Sequence, residues 1–599
     1  MKKLFSVLTI IMMLCLFGLC FSQTDEKNKN VSELLQSYEP EDVLDVVVLL
    51  VDINHETVLS DYAHRYPEEY QLYTAIKNSE SIPAPDEFDS ALLDNAIARK
   101  RDVYREYYGA ANEAFAEDYA DIATCLFVSH YSPLVILRAS VEDLSVIEKD
   151  DRVIEISEYN QEGFSGDGLS TANAFTRANY VRDTCGNNGA GVKIGMFETK
   201  GAPNLSHPSL SQANIVIRSG CNYSESMHWQ DHATEVASIM VGTDTSSTAD
   251  GFAPAATLYC CRPTGTYSLY DNIEWLLDNY VNIINASVDL GEEGQYGTIC
   301  KWVDHIAVQH DVHFVTSAGN YDDQSFQPNL ITAPGMSYNA ITVGAFDHGD
   351  ATQWIQYNLF NVWPHSCYEE TGTDRPEKPN LVADGVGFMG MQGTSFSSPQ
   401  VAGVIAQLCS YNSAFKTKQS TIGAILMASA ARKIETSGYK TVGSSFADAC
   451  RIDGEPQISE KEGAGLLDAR WARDVAVSGN YWSLTIYDNS FPYSKYVSLA
   501  AEPSKTIRVC IFWLRQNSIS AVGHPVSNLV VGTMSNLDLS VYDPNGNLVD
   551  SSTTTKSNFE IVQFSPTIAG TYEIRITDLG GHTGKDYVGL ALWKGNTGE

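Results

Sequence analysis

The middle of the chain alternates buried-strand patterns with helical patterns, and this alternation constrains the fold more than any other feature. Between about residues 161 and 475, short apolar segments are followed by stretches with helical spacing. The predicted strands are Val192–Phe197, Ile215–Arg218, Thr257–Arg262, Asn282–Ser287, His313–Ser317 and Ala340–Gly344. Strands that alternate with helices predict a mostly parallel sheet flanked by helices. Ligand sites in such folds lie at the carboxyl ends of the strands.

Two flanking regions have different patterns. Residues 23–160 are acidic and alternate strand and helix patterns, which predicts a small α+β domain. Within it, Ser140 and Asp143 have the spacing of a helix N-cap and the third helical residue. Residues 476–599 lose the helical spacing and contain short alternating strands, which predict an all-β sandwich. The central domain is then predicted to span residues 161–475.

The first 22 residues are typical of a secretory signal peptide. Lys2 and Lys3 precede an apolar run from Leu4 to Phe21, which is short for a membrane anchor. We therefore expect a secreted, extracellular protein with no transmembrane segment after signal removal. The formal net charge of −35 argues against a nucleic-acid partner, because such a surface repels phosphate backbones.

Ser395 is the candidate nucleophile. It lies in the segment Gly393–Gly403, where a loop enters an apolar helical stretch and Pro399 suits the first helical turn. The start of a helix favours the negative charge that develops in acyl transfer. A capping serine is the ordinary alternative for this position.

Three other residues supply what a serine nucleophile requires. His232 begins a helical stretch and is the candidate base. Glu198 follows a predicted strand and is the candidate carboxylate that holds the histidine in one tautomer. Asn320 follows another strand and offers side-chain donors to an oxyanion. Taken alone, a histidine such as His232 is more often a surface or capping residue, an asparagine such as Asn320 is commonly a turn residue, and Glu198 is about equally compatible with a solvated strand end.

In this chain order the four residues resemble those of the subtilisin-like serine peptidases. Gly393-Thr-Ser-x-Ser-x-Pro-x-Val-Ala-Gly403 matches the family's serine motif. His232-x-Thr-x-Val-Ala237 matches the histidine motif, with Ala233 where the family usually has glycine, and Ser317–Asn320 matches the oxyanion segment. The resemblance covers about residues 185–470.

The acid motif departs from the family's pattern. The family has Asp followed by Ser or Thr and Gly, whereas this chain has Phe197-Glu-Thr-Lys-Gly201. Glu198 is one methylene longer than Asp, and Lys200 is an extra residue before the glycine. A carboxylate is retained, but its path to the His232 ring must differ from that of an aspartate.

The resemblance also implies how a substrate binds. An extended peptide would pair with a backbone segment after one strand, and its side chain would enter a first specificity pocket that accepts an apolar or neutral group. The implied substrate-binding residues are Ser287, Val288, Asp289, Leu290, Ser317, Ala318, Gly319 and Thr332. Thr332 would lie near the bottom of the pocket.

The sequence therefore predicts a secreted serine endopeptidase that acts on protein or peptide substrates and is made as a self-processing precursor. Residues 23–160 resemble an inhibitory propeptide, cut between Glu158 and Gly166, that acts as an intramolecular inhibitor. No cofactor is required, although acidic loops such as Asp322-Asp323 are compatible with structural calcium. The disulfide pairing cannot be read from the sequence.

Two alternatives remain open. One is a catalytically degenerate protein of the same fold that binds a partner at the cell surface. The other is an esterase with the same triad, which is disfavoured because Gly393-Thr-Ser-x-Ser-x-Pro399 is not the Gly-x-Ser-x-Gly elbow.

Overall fold

The computed structural model describes most of the chain from residue 38 onwards. The described residues are 38, 40–158, 175–243, 250–264, 268–292, 294–320, 330–348, 361–368, 376–388, 391–431, 451–452, 455–459, 461–487, 490–515, 535–555, 557–579 and 585–596. The predicted signal peptide, the predicted cut region beyond Glu158 and the Asp322-Asp323 loop lie outside these ranges. The chain divides into two compact units, and residues 59–101 belong to the same unit as the central domain.

The N-terminal elements include a four-stranded antiparallel sheet. In chain order the elements are β1 (Val43–Leu50), α1 (His55–Arg65), α2 (Pro67–Asn78), α3 (Ser90–Asp118), β2 (Ala123–Val128), β3 (Leu134–Ser140), α4 (Val141–Ile147) and β4 (Val153–Glu158). The strands have the order β2-β3-β1-β4, and α4 packs Leu144 and Ile147 into the core beside the sheet. The predicted cap of α4 is confirmed, because Ser140 Oγ accepts a hydrogen bond from the Asp143 amide at 3.1 Å.

The central region contains a large, mostly parallel sheet. Its elements are β5 (Lys193–Phe197), β6 (Asn214–Ile217), α5 (Met227–Val241), β7 (Thr257–Cys261), α6 (Ser268–Asp278), β8 (Ile283–Ala286), α7 (Thr298–Gln309), β9 (His313–Ser317), β10 (Ala340–Asp347), β11 (Asn361–Val362), β12 (Leu381–Asp384), β13 (Val386–Phe388), β14 (Met391–Gln392), α8 (Thr394–Tyr411), α9 (Gln419–Ala428), β15 (Arg451–Ile452), β16 (Glu455–Ser459) and α10 (Ala469–Ser478). The strand order is β11-β10-β9-β8-β5-β7-β6, with β12 also paired to β10. Within this sheet β11 pairs antiparallel to β10, and the other strand pairs are parallel.

Helix α8 packs within the core of this domain and is buried from Thr394 to Cys409. Gly403 permits the close packing, since a Cβ at that position would lie 2.3 Å from the Cβ of Phe252. The carboxyl ends of the parallel strands meet at one edge of the sheet, where the start of α8 also lies. This edge is where the candidate site residues converge.

The C-terminal strands form two packed antiparallel sheets. They are β17 (Tyr481–Tyr487), β18 (Tyr493–Leu499), β19 (Lys505–Trp513), β20 (Leu537–Tyr542), β21 (Leu548–Ser552), β22 (Phe559–Phe564), β23 (Gly570–Asp578) and β24 (Lys585–Asn596). Their orders are β17-β24-β19-β22 and β18-β23-β20-β21. The sandwich packs closely on α9, because a Cβ on Gly423 would lie 2.7 Å from the Phe512 ring.

The predicted fold class is confirmed: in chain order, a small four-stranded antiparallel sheet with helices precedes a mostly parallel sheet flanked by helices, and two antiparallel sheets with a shared core follow. The predicted domain boundaries stay predictions. Within the described ranges, none of the helices has the length and hydropathy needed to span a bilayer. The nine cysteines that the structure describes are all free thiols.

Candidate active site

Glu198 and His232 form a buried hydrogen-bonded pair. His232 Nδ1 lies 2.9 Å from Glu198 Oε2, and the two side chains are 1% and 2% exposed. Neither His232 Nε2 nor Glu198 Oε1 has a hydrogen-bond partner in the described part of the chain. A carboxylate that holds Nδ1–H fixes the neutral tautomer in which Nε2 is a proton acceptor. The longer Glu198 side chain therefore reaches the ring that an aspartate would be expected to hold.

The loop after β5 shows how this acid is accommodated. The Glu198 amide donates to Cys261 O at 3.1 Å, which extends the pairing of β5 with β7 by one residue. A Cβ on Gly201 would lie 2.0 Å from Trp229 O and 3.0 Å from the Ala233 methyl. Gly201 is therefore required where this loop passes α5, and Ala233 fits only because Gly201 has no side chain. The additional residue, Lys200, places its ammonium 5.5 Å from the centre of the Trp229 ring.

Ser395 lies in the first turn of α8 and is 1% exposed. The next residue, Phe396, packs its ring against His232 with the ring centres 5.4 Å apart, which places the start of α8 beside the histidine. Ser287 Oγ donates to the Ser395 carbonyl at 2.7 Å and lies 3.0 Å from Ser398 Oγ. These bonds tie the end of β8 to the first turn of α8.

Asn320 is oriented by the residue before Ser395. Its Oδ1 accepts hydrogen bonds from both the amide and the hydroxyl of Thr394, each at 2.9 Å. Thr394 Oγ1 in turn accepts from the Gly319 amide at 3.1 Å. Gly319 has a φ of +98°, a backbone conformation that favours glycine. With its oxygen occupied in this way, the Asn320 side chain keeps its two N–H donors for another acceptor.

The predicted substrate-binding residues lie on adjoining segments. The Leu290 amide donates to Ala333 O at 2.9 Å, and the Ala333 amide donates to Gly291 O at 2.8 Å. Ser317 Oγ donates to Val288 O at 3.4 Å. These bonds join three segments, 287–291, 317–320 and 331–333, side by side. Their role in substrate binding stays a prediction.

Thr332 lies in one of these segments, and its hydroxyl group is buried. Thr332 is 7% exposed, and its Oγ1 has no hydrogen-bond partner among the described residues. A Cβ on Gly319 would lie 3.4 Å from that oxygen and 3.5 Å from Cys367 Sγ. The structure thus brings Thr332 close to the segment that ends in Asn320. Asp289 has a local role, since its Oδ1 accepts from the Gly291 amide at 2.9 Å.

Two hydrogen bonds that hold the site together were not predicted from the sequence: that of Thr394 with Asn320 and that of the Ser287 hydroxyl with the Ser395 carbonyl. Both donors lie inside recognised motifs, but their partners are 74 and 108 residues away in the chain. Burial and the charge of Glu198 raise the pKa of Cys260 well above its usual value, so this nearby thiol stays protonated. In the described part of the chain, no group of three or more His, Cys, Asp or Glu side chains is placed to hold a metal ion.

His232 Nε2 makes no hydrogen bond to Ser395 in the structure, but a buried carboxylate–histidine pair and a serine at a nearby helix start are the residue types that a serine hydrolase uses. Comparison with known proteins finds a family match for the central region. Residues 177–465, just under half of the chain, match the subtilase family, a match that supports a subtilisin-like serine endopeptidase.

Three proteases are similar to part of the chain. The M-protease of Shouchella clausii (strain KSM-K16) is 25% identical over 300 residues, which cover 48% of this chain and 72% of that protein. The thermostable alkaline protease of Halalkalibacterium halodurans (strain ATCC BAA-125) is 27% identical over 286 residues, which cover 46% of this chain and 72% of the relative. Pyrolysin of Pyrococcus furiosus is 31% identical over 217 residues, which cover 29% of this chain and 15% of pyrolysin.

Proposed function

We propose that the chain is a secreted, self-processing serine endopeptidase whose triad consists of Glu198, His232 and Ser395. The observation that carries this proposal is the buried hydrogen bond of 2.9 Å between Glu198 and His232 Nδ1. The opposite ring nitrogen, Nε2, has no partner among the described residues and can receive a proton.

Each residue then has a defined role. Ser395 attacks the scissile carbonyl while His232 accepts its proton at Nε2 and later transfers that proton to the leaving amine. Glu198 holds the imidazole in the productive tautomer and stabilises the imidazolium. Asn320, together with a backbone N–H near Ser395, binds the oxyanion of the tetrahedral intermediate. Water hydrolyses the acyl-enzyme through the same groups, and no cofactor is required.

Substrate recognition follows from the adjoining segments. An extended peptide pairs with the backbone of residues 287–290 by strand addition. Its side chain enters a pocket bounded by Ser317, Ala318 and Gly319, with Thr332 at the bottom. Because Thr332 is uncharged, this pocket favours an apolar or neutral side chain. Residues 23–160 act as the intramolecular inhibitor and are cut between Glu158 and Gly166.

Replacement of the nucleophile tests the proposal. We expect Ser395→Ala to lower kcat on the order of a million-fold and to leave the precursor uncut, because only binding and oxyanion stabilisation remain. A fluorophosphonate probe should label the parent protein at Ser395 and should not label the variant. Ser211→Ala is the matched control, since Ser211 is exposed and lies on a surface turn.

The same experiment separates the degenerate alternative. A binding protein without catalysis would take up no probe and would remain a full-length precursor when Ser395 is intact. A Ser395→Ala protein that still matures by itself and digests casein would refute the nucleophile assignment.

A further inference from the structure

A second carboxylate–histidine pair, formed by Asp384 and His348, lies in the central domain. His348 Nδ1 lies 3.1 Å from Asp384 Oδ1, and the two side chains are 14% and 0% exposed. The amide of Val386 donates to the same Asp384 oxygen at 3.2 Å. The ring of His348 packs on that of Phe175, with the ring centres 4.9 Å apart. Neither member of this pair has a role in the proposed triad.

The backbone that follows Asp384 is bonded to both sides of the nucleophile. The hydroxyl of Ser397 donates to Asp384 O at 3.2 Å, and the amide of Gly393 donates to Gly385 O at 2.8 Å. Ser395 lies between these two donors in the chain, two residues from each. The place of Ser395 therefore depends on where this backbone lies.

The same segment also contacts the catalytic histidine through two aromatic rings. Phe388 stacks on Phe396, with the ring centres 5.2 Å apart, and Phe396 packs against His232 at 5.4 Å. The side-chain amide of Gln400 donates to both Phe396 O at 2.8 Å and Asp384 O at 2.5 Å. A displacement of residues 384–388 would thus be passed on to both the nucleophile and the base.

The carboxylate of Asp384 requires a positive partner, because an uncompensated charge in a protein interior is strongly unfavourable. The hydrogen bond with Asp384 raises the pKa of His348, against the opposite effect of burial, and the charges of Asp384 and Asp347 add to the increase. Asp347 precedes His348 in the chain, and Phe175, the other described neighbour, carries no charge. His348 is therefore protonated over a wider pH range than an isolated histidine.

We propose that His348 is a positioning residue for the peptidase reaction, which in its protonated form holds Asp384 and so keeps Ser395 and His232 aligned. This inference rests on the proposed function. The two histidines then have opposite requirements. His232 must be neutral to accept a proton, so kcat rises with pH, whereas His348 must be charged, so kcat falls as the pH rises through its pKa.

The pH dependence of kcat tests the proposal on the full chain with a peptide substrate. We expect a bell-shaped profile for the parent. His348→Arg keeps a positive charge, so the falling limb should move to higher pH by at least about one unit while the rising limb stays in place. His348→Gln has no charge at any pH, so kcat should fall about tenfold with KM within about twofold, and the falling limb should be absent.

His64→Gln is the matched control, because His64 is an exposed histidine in the last turn of α1 and its loss should leave the profile unchanged. Asp384→Asn should reduce kcat as His348→Gln does, and the double variant should lose little more than either single one. If Asp384→Asn does not fold, the two His348 variants still decide. A falling limb that is absent from the parent, or that stays in place in His348→Arg, overturns the proposal.

Thermal unfolding provides a second measurement that does not require catalysis. Because the pKa of His348 is raised by folding, its contribution to stability is complete below the pKa of an unfolded histidine and is lost as the pH rises through the folded value. In a Ser395→Ala background, His348→Gln should therefore lower the thermal midpoint at about pH 6 and have no effect at high pH. Equal midpoints at both pH values would overturn the proposal. An inactive parent that takes up no fluorophosphonate probe would refute the proposed function instead.

Discussion

Ionisable side chains are buried at both ends of the parallel strands, which we call the carboxyl edge and the amino edge of the sheet. The two edges differ in how completely the polar atoms of these side chains are hydrogen-bonded. At the carboxyl edge, Glu198 and His232 share one hydrogen bond, and one polar atom of each has no partner in the described part of the chain. At the amino edge, both oxygens of Asp311 are bonded, to Lys77 and to Lys100. The Asp311 carboxylate is therefore saturated, although the Gln419 amide that accepts from Lys77 keeps one nitrogen without a partner among the described residues.

This difference distinguishes charged side chains that are buried for a reaction from charged side chains that are buried to stabilise the fold. An unpartnered polar atom in a protein interior is costly, so its presence requires a reason such as a reacting group. A saturated cluster requires no ligand and instead resists separation. Burial of charge alone would not have distinguished the two edges, because Glu198 and Asp311 are both almost completely buried.

The largest expected effect on stability comes from Asp311→Asn. An amide leaves two buried lysines without a carboxylate, so we expect the free energy of unfolding to fall by about 3–5 kcal/mol. Urea unfolding at neutral pH measures this loss. Asp61→Asn is the control, because Asp61 is part of an exposed pair and should change stability by less than about 1 kcal/mol. Equal stability of the two variants would show that the amino-edge cluster contributes little.

Glu198→Gln should have the next largest effect. We expect kcat to fall by about 100-fold or more, since an amide neither fixes the productive tautomer nor stabilises the imidazolium. Steady-state kinetics on a peptide substrate provide the measurement, and the thermal midpoint serves as a control for folding. Unchanged activity would mean that another acid orients His232.

Thr394→Val tests how the carboxyl edge holds Asn320. The change removes the hydroxyl that donates to Asn320 Oδ1 but keeps the backbone amide that also donates to it. We expect kcat to fall about tenfold with little change in KM, because a misplaced donor weakens binding of the oxyanion more than binding of the substrate. Thr394→Ser retains the hydroxyl and should restore most of the activity. Equal loss in both variants would indicate a packing role instead.

Glu198→Asp tests whether the loop has adapted to the longer acid, and we expect no gain in kcat. The loop that contains Lys200 and Gly201 already lets the longer side chain reach His232 at 2.9 Å, so a shorter acid would fall short. The same peptide assay measures this variant. A large gain would identify Glu198 as a damaged aspartate and would favour the binding-protein alternative.

The sequence predicted the central sheet well because its strands are continuous apolar segments between helical stretches. The predicted strand His313–Ser317 coincides with β9, and the predicted strand Val192–Phe197 differs from β5 by one residue. It also predicted that Glu198, His232, Asn320 and Ser395 lie at strand ends or helix starts. The hydrogen bond between Glu198 and His232 could not be predicted, because it depends on the path of the loop after β5. The sequence motif alone did not determine that path.

The amino-edge cluster could not be predicted in this way. Lys77 and Asp311 are 234 residues apart, and neither lies in a recognised motif. A lysine in an acidic, helical region is ordinarily a solvated side chain. Only tertiary packing shows that α2 and the first part of α3 bury their lysines on the central domain, and neither α1 nor α2 was predicted.

The buried free thiols can be used to measure local opening of the structure, because a thiol reagent reaches them only when their surroundings open. Seven of the nine described cysteines are buried, including Cys409 in α8 and Cys510 in β19. Burial raises the pKa of Cys409 to about 12 and that of Cys510 well above its usual value, so each thiol reacts mainly when its surroundings open. The rates at which a thiol reagent modifies these two residues therefore measure local opening of α8 and of the C-terminal sheets separately. We expect the slower rate at Cys409, because α8 is packed within the core of the central domain.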